Sequence, residues 1–297
     1  VENMRLRKAA LLNDTSHERH ICSTEVIRQI ERVLLECKVK VVAKFKRQDV
    51  LEHYKNGLKE ELGNYDLIVV NGEGTMHRST LFLKNVVSCL PKRKKAILIN
   101  TVWDKMFFDF EERFDKAFDF ITVRDGMSYH TLKRVYPEQR ILLVPDILFS
   151  LEPYQGTIGY GDSVLSQLHL DLSEKNNFFP MQNDISVADV YAYLSWLKTL
   201  EVYVTGRFHG VCLAIMAEVP FLAFPSNSHK IEGILSDMGA LDLMLGSFKE
   251  ITDKIPIAKS KIPVIVEYKR TAQKRLEQFK VKLQELVGTI EINGTDE

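Results

Sequence analysis

The fold is decided by residues 66–75, Asp-Leu-Ile-Val-Val-Asn-Gly-Glu-Gly-Thr. An unbroken apolar run that ends in a glycine-rich turn is typical of a strand buried on both faces of a parallel sheet. Similar runs recur on either side of it, separated by polar turns and amphipathic helical stretches. They predict strands at residues 8–12, 39–43, 96–100, 118–123 and 141–144. Strands that alternate with helices in this way predict a doubly wound α/β domain over residues 1–150.

A second α/β domain is predicted over residues 151–297. Pro153, Gly156, Gly159 and Gly161 lie close together, which is typical of an interdomain linker. Beyond the linker the sequence predicts strands at 177–181, 201–204 and 221–224, helices at 186–197 and 211–217, and a long helix at 264–287. We expect two Rossmann-like domains that face a cleft, with the C-terminal helix packed across both. Because ligands of such sheets bind at the carboxyl ends of the strands, the loops there form the candidate site.

The composition excludes several classes of protein. Of the 297 residues, 45% are hydrophobic and 27% are charged, as in a globular protein. Lysine plus arginine and aspartate plus glutamate both number 40, so no overall positive field attracts nucleic acid. An anionic ligand therefore needs a local cluster of cations. No apolar run approaches the roughly 18 residues of a membrane span, and we expect a cytoplasmic protein with at most peripheral contact to the inner face of the cytoplasmic membrane.

The four cysteines show no spacing typical of a metal site or a disulfide framework. They are Cys22, Cys37, Cys89 and Cys212. We predict that they are small buried residues, and we expect neither a metal nor an organic cofactor.

The glycine-rich turn is the first candidate site. Gly72 and Gly74 let the backbone approach a ligand closely, and we assign them with His77 to the binding of an acceptor. Glu73 is predicted to project into the cleft as a general acid. The alternative is an ordinary turn in which Glu73 is a solvated acid at the start of a helix.

Two further strand ends carry charged residues. Arg124 can present its guanidinium group to a phosphate or carboxylate of a donor. The alternative is that Asp125 caps the following helix and Arg124 pairs with it. Asp146 follows the strand at 141–144 and lies next to the linker, either as a site residue or as a turn and cap residue.

The strongest candidate is the turn Gly206-Arg207-Phe208-His209-Gly210, which follows a strand and opens an apolar helix. Arg207 supplies a permanent charge, and His209 titrates near neutral pH. At the start of a helix, this pair predicts a pocket for a phosphate or carboxylate in which His209 also moves a proton. We assign Arg207 and His209 to catalysis, with Gly206 and Gly210 beside the donor.

Two polar loops complete the predicted site. The loop after the first strand is assigned to acceptor hydroxyls through Asn13, Asp14, His17 and His20. The loop after the strand at 221–224 is assigned to the donor through Ser226, Asn227, His229 and Lys230.

The order of these motifs resembles the polysaccharide pyruvyl transferase family over roughly residues 8–240. The matching pieces are residues 71–75, 123–125, 144–146, 179–182, 206–210, 219–220 and 228–231. The resemblance implies a GT-B-like fold and the metal-independent transfer of a pyruvyl ketal from phosphoenolpyruvate onto two hydroxyls of a sugar in a cell-surface polysaccharide or its lipid-linked precursor. It implies that Arg207 and Arg124 hold the donor, that His209 is the acid/base or a phosphate contact, and that Glu73 or Asp14 assists proton transfer.

The sequence departs from the family where many members have three or four glycines and this chain has Gly72-Glu73-Gly74. A carboxylate there makes a second interpretation possible, a retaining glycosyltransferase that uses CMP-Kdo or a similar keto sugar. Asp146 would then be the nucleophile and Glu73 the acid/base, with Arg207 and His209 on the donor. A third interpretation is a catalytically inert binding module of the same fold.

Overall fold

The computed structural model describes residues 6–18, 21–53, 57–73, 80–103, 114, 116–152, 170–171 and 190–290. Within these ranges the strands form two parallel sheets, one of six strands and one of three. The first, called here the N-terminal sheet, consists of β1 (Arg7–Leu12), β2 (Val39–Phe45), β3 (Leu67–Asn71), β4 (Lys95–Thr101), β5 (Phe120–Val123) and β6 (Ile141–Leu143). The predicted strands of this sheet are therefore confirmed, with ends that shift by one or two residues.

The strand order of the N-terminal sheet is β2-β1-β3-β4-β5-β6. The chain reverses its direction of winding between β1 and β3, and the carboxyl ends of these two strands flank the crevice where ligands of such sheets bind. The connections between the strands contain α1 (Ile21–Glu36), α2 (Arg47–His53), α3 (Leu58–Leu62), α4 (Thr80–Cys89) and α5 (Gly126–Val135).

Both faces of the N-terminal sheet are covered by apolar side chains. In β1, Ala9 and Leu11 belong to one hydrophobic cluster with α1, whereas Ala10 and Leu12 belong to another with α2, α3 and α4. This alternation explains why the strands read as unbroken apolar runs, since each successive residue is buried on one face or the other. The cluster with α1 also contains residues of the second sheet, so the two sheets share one core.

The second sheet, called here the C-terminal sheet, has the order β7-β8-β9. Its strands are β7 (Leu170–Asp171), β8 (Tyr203–Thr205) and β9 (Phe221–Ala223). It is accompanied by α6 (Val190–Leu197), α7 (Phe208–Ala217), α8 (Lys230–Met238), α9 (Ile251–Ser260) and α10 (Ile262–Gly288). The predicted strand at 177–181 and the start of the helix predicted from residue 186 lie outside the described residues, and the domain boundary at residue 150 stays a prediction.

The start of α7 differs from the prediction. The helix was expected from residue 211 but begins at Phe208, so that His209 and Gly210 lie in its first turn. Glycine disfavours helices, and for that reason Gly210 predicts a turn. In the structure a Cβ atom on Gly210 would lie only 2.4 Å from Thr205 Oγ1, so the glycine instead allows α7 to pack closely against β8.

The long helix α10 packs against both parts of the chain, which confirms its predicted place. Its Phe279 ring lies 6.0 Å from Phe120 of β5. At its other end, Lys269 Nζ donates a hydrogen bond of 2.9 Å to the carbonyl oxygen of Met216 in α7. No described helix combines the length and the apolar character that crossing a membrane requires. All four cysteines are buried, as predicted, and none of them forms a disulfide.

We predict that Gly72→Ala destabilises the protein. A Cβ atom at this position would lie 2.5 Å from Thr101 Cβ and 2.9 Å from Thr101 Cα, so the backbone of β4 would have to move. Overpacking of this kind costs about 1–3 kcal/mol, to be measured by urea unfolding. The control is Gly288→Ala at the end of α10, where nothing lies within 4 Å. Equal stability of Gly72→Ala and the wild type would contradict the close approach of β3 and β4.

Candidate active site

The turn between β8 and α7 meets the carboxyl ends of strands in the N-terminal sheet. His209 Nε2 lies 3.5 Å from Glu73 Oε1 and 3.6 Å from Asp146 Oδ2. Glu73 follows β3 and Asp146 follows β6. Two loops of the N-terminal sheet therefore meet the imidazole nitrogen that α7 brings from the C-terminal sheet. A histidine between two carboxylates can accept a proton, and as an imidazolium it is stabilised by both.

Glu73 is a buried residue rather than a solvated acid, with 7% of its surface exposed. Its Oε2 accepts a hydrogen bond of 2.9 Å from Thr15 Oγ1, and its Oε1 accepts one of 3.2 Å from Ser23 Oγ. These two hydroxyls come from the loop after β1 and from the first turn of α1. The carboxylate is therefore held in a fixed position beside His209, with partners that compensate its burial.

Asn13 braces the loops that follow β1 and β3. Its backbone adopts the left-handed conformation (φ 63°), which asparagine tolerates better than most residues. Its side-chain Nδ2 donates to the carbonyl oxygens of Asn71 at 2.8 Å and Glu73 at 3.1 Å. Asp14 Oδ1 accepts a hydrogen bond from Ser16 N. The hydrogen bonds of the Asn13 and Asp14 side chains described above are thus made to other groups of the protein. His17, in contrast, is exposed.

Arg124 and Asp146 form a buried ion pair. Arg124 Nη1 lies 2.6 Å from Asp146 Oδ2, and the two side chains are 3% and 0% exposed. The partner of Arg124 is therefore Asp146, not Asp125 as the alternative interpretation had it. Asp125 does cap α5, since its Oδ1 accepts a hydrogen bond from Ser128 N.

The surroundings of Asp146 favour its ionised form. Burial on its own raises the pKa of this carboxyl, but contact with His209 and the charge of Arg124 outweigh burial and hold the pKa well below its usual range. The second carboxylate oxygen accepts a hydrogen bond of 3.0 Å from Leu148 N, so Asp146 also caps the short helical turn at residues 147–150. The predicted cap role is thus confirmed, and the same carboxylate lies 3.6 Å from His209.

Phe208 joins the two sheets at the same place. The guanidinium carbon of Arg124 lies 4.4 Å from the centre of the Phe208 ring, a cation–π contact. The central residue of the Arg-Phe-His turn therefore rests on the arginine that holds Asp146, while the next residue, His209, reaches Asp146 itself. Sequence reasoning assigned no role to Phe208, because its partner lies more than eighty residues away in the chain.

Arg207 lies just outside the helix and is partly exposed. Its backbone is extended (φ −104°, ψ 135°), and its N–H donates a hydrogen bond of 3.1 Å to Thr205 Oγ1. The N–H groups of the first turn of α7 carry a partial positive charge. A helix start of this kind can bind an anion, and Arg207 is its N-cap residue.

The predicted donor loop contacts the N-terminal sheet through His229. His229 Nε2 lies 3.1 Å from Ser128 Oγ and 3.3 Å from Asp125 Oδ1. Nearby, Asp237 Oδ2 accepts a hydrogen bond of 2.9 Å from Gly126 N. The start of α5 and the helix α8 are thus linked by polar contacts, and His229 takes part in that link. Ser226, Asn227 and Lys230 are partly buried beside it.

Several predicted residues remain outside this description. His20, Gly74 and His77 lie outside the described residues. Gly206 is buried at the carboxyl end of β8. Within the described ranges, no group of three or more side chains is arranged to hold a metal ion.

Comparison with known proteins places these loops in a family. A family model described as polysaccharide pyruvyl transferase matches residues 11–228, from β1 to the loop before α8. No curated protein matches the sequence.

Solved structures with the same fold share little sequence with this chain. The S. aureus MnaA structure with UDP matches with a TM-score of 0.57 and 11% identity, over 98% of this chain and 100% of that one. A structure of UDP-N-acetylglucosamine 2-epimerase matches with a TM-score of 0.51 and 10% identity over 99% of both chains. At such low identity these likenesses show the GT-B-like fold and not the reaction.

We predict that Asp146→Asn costs about 3–5 kcal/mol of unfolding free energy, because it leaves the Arg124 charge buried without a counter-ion. The control is Glu267→Gln, which removes the same charge from an exposed pair with Arg270. Exposed pairs contribute about 0–1 kcal/mol. Both variants are to be compared with the wild type by urea unfolding at pH 7.

The same variant makes a prediction about pH. The pKa of Asp146 is lower in the folded than in the unfolded protein. The contribution of Asp146 to the free energy of unfolding is therefore complete above its pKa in the unfolded protein, about 3.9. This contribution is lost as the pH falls through the pKa in the folded protein. The stability difference between wild type and Asp146→Asn should therefore shrink as the pH falls below about 4. A difference that grows in acid would contradict an ionised Asp146.

Proposed function

The chain belongs to the polysaccharide pyruvyl transferase family, and we propose that it transfers a pyruvyl group from phosphoenolpyruvate, as a ketal, onto two hydroxyls of a saccharide. The observation that carries this proposal is the position of His209, between Glu73 and Asp146 and beside the anion site at the start of α7. That arrangement combines a group that moves protons with a place for a phosphate or carboxylate, and the proposed reaction needs both.

The donor is assigned to Arg207 and the first turn of α7. Phosphoenolpyruvate carries a phosphate and a carboxylate, and either group suits a guanidinium next to helix N–H groups. Arg124, expected from the resemblance to bind the donor, has its guanidinium group on Asp146 and Phe208. Its proposed role is therefore to fix Asp146 and, through it, His209. The proposal includes no metal, since these protein cations balance the charge of the donor.

The proposed reaction needs two proton movements. Each acceptor hydroxyl loses a proton as its oxygen bonds to C2 of the donor. One proton is gained by C3, which changes from methylene to methyl, and the other leaves with the phosphate. His209 is the group placed to take a hydroxyl proton and return it, and Glu73 accepts a proton from or gives one to the imidazole. The acceptor is proposed to be a sugar of a polysaccharide or of its lipid-linked precursor, met in the cytoplasm or at the inner face of the cytoplasmic membrane.

The glycosyltransferase alternative is less consistent with the site. A nucleophile has to reach the anomeric carbon of its donor. Asp146 is 1% exposed, one of its oxygens is held by Arg124 and the other caps the turn at residues 147–150. Loss of activity in Asp146→Asn would therefore not identify a nucleophile, because the substitution also breaks the buried ion pair.

Donor binding separates the three interpretations. We expect phosphoenolpyruvate to raise the unfolding temperature, with a gain of about 2.7 kcal/mol at a hundred times its dissociation constant. CMP-Kdo and CMP-sialic acid are measured in parallel. If the CMP sugars raise the unfolding temperature and phosphoenolpyruvate does not, the glycosyltransferase interpretation replaces this proposal. If none of the three donors raises it, the inert binding module is favoured.

Two substitutions test the assigned roles. Arg207→Ala should abolish stabilisation by phosphoenolpyruvate, whereas Arg134→Ala on the exposed side of α5 should leave it intact. His209→Gln keeps a hydrogen-bonding side chain but cannot carry a proton. It should bind phosphoenolpyruvate and release phosphate at least about 100-fold more slowly with a panel of methyl hexopyranosides as acceptors. Phosphate release at the wild-type rate would remove His209 from the chemistry.

A further inference from the structure

We propose that Glu18 and Ser23 form the solvent end of a proton relay that runs through Glu73 to His209. This inference deepens the proposed function and rests on it, because it assigns a route by which the acid/base group exchanges protons with water. Glu18 lies in the polar loop that the sequence assigns to the acceptor, but neither Glu18 nor Ser23 was given a role of its own.

The relay is a chain of three short steps. Ser23 Oγ lies 3.4 Å from Glu18 Oε2 and 3.2 Å from Glu73 Oε1. The same Glu73 oxygen lies 3.5 Å from His209 Nε2. Glu18 is exposed, whereas Ser23 and Glu73 are buried. The contacts therefore lead from the surface of the protein through Ser23 to a carboxylate oxygen that lies 3.5 Å from the imidazole nitrogen.

Ser23 is suited to pass a proton because it has one hydroxyl hydrogen and two carboxyl neighbours. When Glu18 is protonated, its O–H donates to Ser23 Oγ while the Ser23 hydroxyl donates to Glu73. Glu18 then gives its proton to Ser23 as Ser23 gives its own to Glu73. The hydroxyl is restored, Glu18 ends as a carboxylate, and Glu73 ends protonated. The reverse movement returns the proton to the surface.

The charges around Glu18 favour this role. Although Glu18 is an exposed residue, neighbouring protein atoms partly remove its carboxyl group from water. This desolvation, and then the negative charge of Glu73, raise the pKa of Glu18 above its ordinary value. His17, Ser23 and His209 act in the opposite direction without cancelling that rise. An exposed acid whose pKa lies nearer to neutral pH exchanges protons with water more evenly in both directions than an ordinary glutamate.

The reaction gives the relay a purpose. In the proposed transfer, one hydroxyl proton is delivered to carbon and the other leaves with phosphate, at different stages. These two deliveries use both hydroxyl protons, so no proton is exchanged with water overall. Because they fall at different stages, the relay lets Glu73 and His209 take up or release a proton between one stage and the next. Because Glu73 is buried, it needs another group to exchange protons with solvent.

Thr15 provides a matched control. Its hydroxyl also donates to Glu73, at 2.9 Å from Oε2, but its other neighbour is the carbonyl oxygen of Ser23, which cannot carry a proton onward. Ser23→Ala and Thr15→Val each remove one hydrogen bond to Glu73. Only Ser23→Ala interrupts the relay, so a comparison of the two separates proton transfer from the positioning of Glu73.

The test measures phosphate release from phosphoenolpyruvate with methyl hexopyranosides in weak buffer. Glu18→Gln and Ser23→Ala should lower kcat about tenfold with KM little changed. Added imidazole, a small proton carrier, should restore the rate of Glu18→Gln. Any loss in Thr15→Val should not respond to imidazole. A wild-type rate for Glu18→Gln in weak buffer, or a loss that imidazole does not restore, would overturn the relay.

A second measurement does not depend on turnover. Carbon-13 NMR of labelled glutamate carboxyls should show Glu18 titrating above the ordinary value of about 4.3 and moving towards it in Glu73→Gln. If the wild type releases no phosphate but the titration of Glu18 still depends on Glu73, the proposed function fails while the coupling between the two carboxyl groups is confirmed. If Glu18 titrates independently of Glu73, the relay fails whatever the enzyme does.

Discussion

The buried ion pair between Arg124 and Asp146 is the interaction on which the rest of the site depends. It joins the ends of β5 and β6, and its two members then contact consecutive residues of α7, the Phe208 ring and the His209 imidazole. An ion pair that is removed from water is tolerated only when each charge is fully compensated. Contacts with the Arg124 and Asp146 charges, as well as apolar packing, therefore hold α7 against the N-terminal sheet. Separating α7 from the sheet here would remove one of these charges from its partners.

The same constraint shapes what a donor can do there. Two carboxylates already lie beside His209, so an anion that approaches must be attracted by something that outweighs them. In the proposed function that attraction comes from Arg207 and the first turn of α7, whereas Glu73 and Asp146 lie beside the imidazole nitrogen. A neutral sugar hydroxyl pays no such electrostatic penalty. We therefore propose that the anionic donor and the uncharged acceptor bind at different positions, with His209 as the proton carrier between them.

Much of this arrangement could be predicted from the sequence, and the missing part has a common cause. Strands buried on both faces are continuous apolar runs, so the sequence predicts the six strands of the N-terminal sheet. The segment around His209 was recognised from its charged residues between two glycines. The partner of Arg124 was not, because Asp125 is adjacent in sequence and Asp146 is adjacent only in space. Phe208 and Ser23 were missed for the same reason, since an apolar residue or a helix serine shows its role only through a distant partner. The start of α7 was placed too late because Gly210 suggested a turn, although the structure uses it for close packing.

The structure narrows the role that Glu73 can play in the site. A carboxylate at this buried position needs partners, and they come from three separate elements: Thr15 after β1, Ser23 in α1 and His209 in α7. A retaining glycosyl transfer would need a second carboxylate that can reach the donor, and Asp146 is held by Arg124 inside the protein. Only one carboxylate of the pair is thus available for chemistry, and it is joined to a histidine on one side and to a serine hydroxyl on the other. One carboxylate with those neighbours is suited to moving protons rather than to forming a bond to carbon, which is why we favour acid/base chemistry at Glu73 over covalent catalysis at Asp146.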